Sequence, residues 1–386
     1  MRIVQIGPYP IDPSVIRGGV ESSVFGLVQE QAKKNDVFVM DIPRISGLDR
    51  IERFGNLTVY RFSNHGKHQK DAVDRVKDIC HIITGLKPTI CHIHSTSVFS
   101  WRLYRALSRA GVPTIVTVHG LSIIEKKKEL KRQFSIKKLY QLCVQANAER
   151  SLLQSAEDII VDTKYVSEVI DAYRLRRTPE RHVIPQGIDS RFFDISPALS
   201  SSEVLSVGAI SKRKGHLLLL KSFEKVCEVN KKAHLTICGS LADPVYYNEL
   251  ISFLSSSQIK NRVTIMTNAT QGELDNCYRG AAVFALHSQE ESQGIALVEA
   301  MAAGLPIVST RVGGIPWVVE DKTTGFLSEY GDIQSFADKI STLLGSHDLV
   351  RSMSERSRES ALRYSWAGIS DEILALYNQF ITLSAH

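Results

Sequence analysis

Two glutamates, Glu291 and Glu299, stand eight positions apart in the stretch EESQGIALVEA, with Gly294 between them. Around Glu299 the residues Ile295, Ala296, Leu297, Val298, Ala300, Met301 and Ala302 are all apolar. A helix that is apolar nearly all round is buried, and a carboxylate inside it needs a partner. Gly294 marks the start of that helix. The first-turn amides of Gly294, Ile295 and Ala296, with the positive end of the helix dipole, form a site for phosphate. A ligand with phosphates at the helix start sets one polyol near each carboxylate, and carboxylates accept strong hydrogen bonds from vicinal hydroxyls. A nucleotide sugar has that layout. The plainer alternative makes Glu290 and Glu291 dipole-complementing acids and Glu299 a solvated helix residue, which the apolar neighbours disfavour.

Three further groups carry chemistry. In VGAISKRKGH the cations Lys212, Arg213 and Lys214 crowd a turn that ends in Gly215. Arginine offers phosphate a fork and lysine a point charge, although such a run also occurs as a solvated basic turn. In TVHG, His119 follows an apolar run. A lone histidine is more often structural, but a strand terminus is where α/β sheets place ligand-binding groups. Gly18 and Gly19 precede Glu21 after the first apolar run, a glycine pair that allows close backbone approach.

These groups need strands to end beneath them and helices to begin above them. Short apolar runs alternate with longer amphipathic stretches throughout, the pattern of parallel sheets with crossover helices. Strands are expected near 2–7, 36–41, 57–62, 89–94, 114–118, 158–162 and 182–185, then near 203–208, 234–239, 262–266, 283–286 and 306–309. Helices fall between them, and the tail from about 348 to 382 reads as helix only. The stretch Ser190–Ser202, with Pro197 and several serines, reads as a linker. The expectation is therefore an α/β protein of two doubly wound domains facing a cleft. One spans 1–195 and the other 196–364, with a helix at 365–386 that returns to the first.

At 386 residues, 43% hydrophobic and 23% charged, the chain exceeds what one core usually serves and is not disordered. No apolar run is long enough to span a bilayer, and the N-terminus lacks the pattern of a signal peptide. Six scattered cysteines without a C-x-x-C pair fit a reduced, cytoplasmic protein. The net charge of +6 is uneven: 30 Lys/Arg stand against 21 Asp/Glu in residues 1–195, and 17 against 20 in 196–386. The basic half implies an anionic partner. Its most basic stretch, 123–143, carries Ile136, Leu139, Tyr140 and Cys143 at helix spacing and suits an anionic membrane surface as well as a solvated face. Aromatic–basic interleaving is missing, so nucleic acid is not expected. No G-x-G-x-x-G follows the first strand, which argues against NAD. Cys91, His92 and His94 lack further ligands nearby, and there is no D-x-D to hold a divalent ion on a diphosphate. Neither a metal nor a cofactor is expected.

The stretch EESQGIALVEAMAAGLPIVST resembles the donor-binding signature of the retaining glycosyltransferases of family 4, whose fold is GT-B. Glu291 and Glu299 match the two acids of its E-x7-E, and Ser292-Gln293 replace the usual Gly-Phe. The resemblance implies that Glu291 contacts the donor sugar and Glu299 the nucleotide ribose. VGAISKRKGH is similar to the family's V-G-R-L-x-x-x-K-G: Lys214 matches the lysine, Ala209 stands at the arginine, and Arg213 is the candidate replacement. GGVE is similar to the G-G-x-E loop beneath the diphosphate and near the acceptor, which carries Gly18, Gly19 and Glu21. His119 matches the histidine beside the donor sugar. VIPQGID is similar to V-I-P-N-G-I-D with Gln186 for asparagine, and is read as structural. In VGGIPWVVEDKTTGFL, Trp317 replaces a usual glutamate.

The expected function is a metal-independent retaining transferase. It moves a hexose-type sugar from a nucleoside-diphosphate sugar, UDP before GDP, to a hydroxyl of a glycan or lipid-linked acceptor in bacterial cell-surface polysaccharide or glycoconjugate synthesis. His119, Glu291 and Lys214 are the candidate catalytic residues. An epimerase or phosphorylase on the same scaffold is the rival, since fold does not fix chemistry.

Overall fold

Strands Val283–Leu286 and Ile307–Thr310 are buried along their whole length, which a sheet covered on both faces requires. The computed structural model describes residues 1–13, 18–41, 49–62, 75–121 and 135–384. It divides into two units: Met1–Ile11, Gly18–Gln186 and Trp366–His386 make the first, and Gly187–Ser365 the bulk of the second.

The first unit is built on eight strands: β1 (Arg2–Ile6), β2 (Asp36–Asp41), β3 (Arg50–Phe54), β4 (Leu57–Arg61), β5 (Ile90–Ile93), β6 (Thr114–Val118), β7 (Asp158–Val161) and β8 (Glu180–Val183). Their order is 3-4-2-1-5-6-7-8, all parallel except β3, which runs antiparallel to β4. Helices Val76–Leu86 and Val98–Arg109 contribute Ile79, Ile83, Leu103 and Leu107 to one core face. The last helix, Trp366–Ser384, packs Trp366, Ile369, Ile373 and Tyr377 on the other face, with Ile3, Ile90 and Ile115.

The second unit has six strands: β9 (Glu203–Val207), β10 (His234–Gly239), β11 (Val263–Thr267), β12 (Val283–Leu286), β13 (Ile307–Thr310) and β14 (Gly325–Ser328), ordered 11-10-9-12-13-14 and all parallel. In both sheets the strand order turns back on itself beside the first strand of the unit. That switch point is where open α/β sheets leave a crevice at the carboxyl ends of their strands.

Three features differ from expectation. The change of unit falls at Gln186/Gly187 rather than 195/196. Ser190–Asp194 is a short 3-10 helix, not a linker, because Phe192 and Ile195 are buried in the second unit's core. The strands Arg50–Phe54 and Gly325–Ser328 carried no expected element. Arg50–Phe54 is largely exposed and lacks a buried alternation, and Gly325–Ser328 begins at a glycine pressed against the β13 backbone, with Ile307 O 2.1 Å from the place a Cβ would take. Of the basic stretch 123–143, residues 123–134 lie outside the described residues.

Candidate functional site

In the second unit, two loops meet past the ends of β9 and β12. After β9 the chain makes a one-turn 3-10 helix, Lys212–Lys214, and stops on Gly215, whose φ of 65° is left-handed. A Cβ there would stand 1.9 Å from the carbonyl oxygen of His287. Only glycine lets this turn lie against the loop that follows β12. That close approach delivers the two cations. Lys214 Nζ lies 2.6 Å from Glu291 Oε1, and Arg213 donates to the Glu290 carbonyl at 2.9 Å and to Glu291 Oε2 at 3.3 Å.

Glu291 is 5% exposed. Ser288 also donates to its Oε1, at 2.7 Å. Its own carbonyl accepts from the Gly314 amide at 2.8 Å, and Gly313 lies so close that a Cβ would meet that same oxygen at 2.2 Å. The glycine pair Gly313–Gly314 thus seats the backbone of Glu291. Burial pushes the carboxyl pKa up, but Lys214 and Arg213 together outweigh it, and the pKa lies below the usual carboxylate value. Gly294 (φ 85°) opens the helix Ile295–Ala302, which leaves the first-turn amides facing out of the helix end. Four positions beyond Ile295, half-buried Glu299 accepts from Tyr278 Oη at 3.1 Å. Burial lifts its pKa, opposed by Arg191.

In the first unit the polar residues also sit just past strand ends. His94 follows β5, His119 follows β6, Asp162 follows β7 and Gln186 follows β8. His119 Nε2 lies 3.1 Å from His94 Nδ1, and its Nδ1 lies 3.5 Å from Asp162 Oδ1. Gln186 donates its amide to the other Asp162 oxygen. His92, two residues before His94 within β5, contacts Tyr377 Oη and Thr117 Oγ1 at 2.6 Å each, and burial pushes its pKa down to about 3. A small recess here is lined by Ser23, His119, Asp162, Pro185, Gln186 and Trp366, among others.

Gly18 and Gly19 lead into the helix Gly19–Gln31, with Glu21 buried in its first turn. The segment before them is anchored by Arg61, 5% exposed. Arg61 pairs with Asp41 at 2.8 Å and donates to the carbonyls of Tyr9 and Pro10 at 3.2 and 2.9 Å.

Sequence reasoning passed over Asp162, Gln5 and Arg61, and weighed His94 only as a metal ligand. Their common signal is position, at or just past the carboxyl ends of parallel strands or in register beside them. The grouping of Cys91, His92 and His94 does not form a metal site. The nitrogens of both histidines are taken by Tyr377, Thr117, Gln5 and His119, and burial raises the Cys91 thiol pKa. Among the described residues, Asp158, Glu180 and His182 bring three ligand atoms within 4.8 Å of one another. Asp158 and Glu180 begin β7 and β8, at the ends opposite those that carry His119 and Asp162, and His182 lies within β8.

Residues 17–192 match the model of Glycosyltransferase Family 4, and residues 189–360 that of Glycosyl transferases group 1. The chain belongs to the family 4, group 1 glycosyltransferases. It is similar to the D-inositol 3-phosphate glycosyltransferase of Corynebacterium efficiens, 26% identical over 77% of this chain and 73% of that protein. The enzyme of the same name from Mycolicibacterium smegmatis is 28% identical over 71% of this chain and 63% of that one. Among solved structures, sucrose-phosphate synthase from Thermosynechococcus elongatus matches with a TM-score of 0.81 at 18% identity, over 99% of this chain and 100% of that one. Anabaena HepE in complex with UDP-glucose matches at 0.76 and 17%, over 98% and 100%. The fold is GT-B.

Proposed function

We propose that this family 4 glycosyltransferase moves a hexose-type sugar, with retention at the anomeric carbon, from a UDP-sugar to a hydroxyl of a glycan or lipid-linked acceptor. The observation that carries the reading is the convergence of Lys214 and Arg213 on buried Glu291 beside the start of the helix Ile295–Ala302. Cations, outward-facing amides and a helix dipole aimed at one place stabilise a leaving diphosphate without a metal. Glu291 also preorganises the site. Its charge holds both cations in fixed geometry before any phosphate arrives, so little reorganisation remains for the reaction.

On this reading Glu299 accepts from the ribose, while Glu291 and His119 orient the sugar as it approaches an oxocarbenium-like state. No further carboxylate is assigned as a nucleophile. Acceptor attack comes from the face the diphosphate leaves, and a donor phosphate oxygen takes the hydroxyl proton. UDP is favoured as the donor base; the solved structure of HepE with UDP-glucose supports that choice. A glycoconjugate product in bacterial cell-surface synthesis and a cytoplasmic site of action complete the proposal. No helix among the described residues is long and apolar enough to cross a membrane.

Melting curves with UDP, GDP, ADP and NAD, each with and without EDTA, test it. A ligand at a hundredfold over its Kd adds about 2.7 kcal/mol, several degrees of melting temperature. A rise with UDP that survives EDTA supports the reading. A response to NAD alone, or to none of the four, overturns it.

A further inference from the structure

His94, His119 and Asp162 lie in one line past the ends of three neighbouring strands. The imidazoles of His94 and His119 are stacked, 5.4 Å between centroids and 13° apart in plane. His94 Nε2 continues the line to Gln5 Oε1 at 2.7 Å, Gln5 being the β1 residue in register with His92. Gln5, His94 and Asp162 are each at most 2% exposed. Bulk water therefore scarcely reaches these three side chains.

One contact decides the protonation pattern. His119 Nδ1 and Asp162 Oδ1 face each other at 3.5 Å, and neither has another hydrogen-bond partner. Without a proton between them, a ring lone pair opposes a carboxylate oxygen, and two buried polar atoms stay unsatisfied, which destabilises the fold. A proton on Nδ1 removes both penalties. The other nitrogen follows from the Gln5 carboxamide, whose oxygen faces His94 while its NH2 donates to Gln31 Oε1 at 2.7 Å and Tyr377 Oη at 3.1 Å; turned over together with Gln31, it reverses those roles. With its oxygen toward His94, His94 donates from Nε2 and accepts from His119 Nε2–H, and a proton on Nδ1 then makes His119 an imidazolium paired with the Asp162 carboxylate. With its NH2 toward His94, His94 donates from Nδ1 to His119. Burial, the largest influence, and the neighbouring histidines hold His94 well below the usual imidazole range, so it supplies one donor and one acceptor. In both arrangements His119 keeps its proton on Nδ1.

We propose that Asp162 is the positioning residue of His119: it holds a proton on Nδ1 and, with His94 on the far nitrogen, locks the ring in one orientation at the end of β6. Gln186, by donating to the second oxygen of Asp162, fixes the carboxylate in turn. The functional consequence rests on the role proposed above for His119 at the donor sugar. With Nδ1–H committed to Asp162 and Nε2 turned to His94, the ring is a rigid wall of the recess and not the base that removes the acceptor's proton. That proton goes to the donor phosphate.

The test uses the full chain labelled with 15N-histidine and two-bond 15N–1H correlation spectra, with His119 identified by the signal lost in His119→Gln. The expected spectrum shows His119 protonated at Nδ1. Asp162→Ala should move it to the Nε2–H form, and Asp162→Asn, whose amide oxygen still accepts, should preserve Nδ1–H. A bare Nδ1 in the unsubstituted chain, or a His119 signal unchanged by Asp162→Ala, overturns the pairing. In parallel, Asp162→Ala should lower kcat by about 10²-fold, the scale of a misplaced orienting group, with UDP affinity unchanged and most of the rate restored in Asp162→Asn. A normal kcat in Asp162→Ala despite the altered tautomer overturns the positioning role. If the unsubstituted chain transfers no sugar from any nucleotide sugar, the donor reading fails, and the spectra still judge the Asp162–His119 pair on their own.

Discussion

Lys214 and Glu291, 77 residues apart in the chain, meet at 2.6 Å with their side chains only 12% and 6% exposed. Removing one member of such a pair strands the other as a buried charge, which typically costs about 3–5 kcal/mol. Lys214→Ala and Glu291→Ala should each stay folded with a lowered melting temperature. Each should also lose turnover by about 10²-fold or more, since on the proposed reading Lys214 meets the charge that develops as the diphosphate leaves and Glu291 holds it in place. Thermal melts and sugar-transfer rates check both halves. Near-normal turnover in both variants would sink the assignment.

Acid should find this pair first. The folded pKa of Glu291 lies below its ordinary value. Its contribution is then fully present above the unfolded carboxyl pKa of about 4.3 and lost as pH falls through the lower folded value. Urea unfolding between pH 7 and pH 3 should show a stability decline that flattens in Glu291→Gln. An equally steep decline in that variant would show that other carboxylates govern it.

Gly26 lies directly beneath Trp366. A Cβ on Gly26 would fall 2.0 Å from the indole nitrogen. Gly26→Ala therefore forces the start of the last helix outward, at a cost of about 1–3 kcal/mol by overpacking. Hydrogen exchange should quicken in Trp366–Ser384 before it does in the second unit. Gly26→Ala with Trp366→Leu should recover part of the loss. Unaltered protection in Gly26→Ala would contradict this packing.

At the start of the helix Ile136–Ser155, Ile136, Leu139, Tyr140 and Val144 are exposed on one side, Ile136 and Tyr140 by 79% and 70%. Lys137 is exposed beside them. If this surface meets an anionic membrane, the chain should float with vesicles containing anionic lipid and not with neutral ones. The double variant Ile136→Glu, Tyr140→Glu should reduce flotation several-fold. Flotation indifferent to anionic lipid would count against membrane contact.

Much of this architecture is legible because buried parallel strands read as short apolar runs. Val283–Leu286 and Glu203–Val207 announce themselves, and Glu291 and Gly294 follow from standing past the end of the first, Lys214 past the end of the second. What escaped has a different physical origin. The edge strand Arg50–Phe54 is recruited by backbone pairing with β4, and its largely exposed side chains carry no periodic signal. Asp162 looks like any helix-preceding acid in VDTKYV; only the packing of β7 beside β6 reveals its neighbour. That Lys214 and Arg213 grip Glu291 as well as facing the helix start depends on Gly215 and Gly313, two glycines whose closeness to other backbone is invisible in one dimension.

The last helix supplies Tyr377, whose hydroxyl meets both Gln5 and His92 beneath the strand ends of the first unit. A ribosome makes that unit's eight strands first and its final helix last, with the whole second unit synthesised in between. The first sheet must therefore wait, with Ile3, Ile90 and Ile115 uncovered by that helix, until Trp366–Ser384 has been made. A stop codon just ahead of Trp366 would leave the distal unit intact and damage the one that was made first.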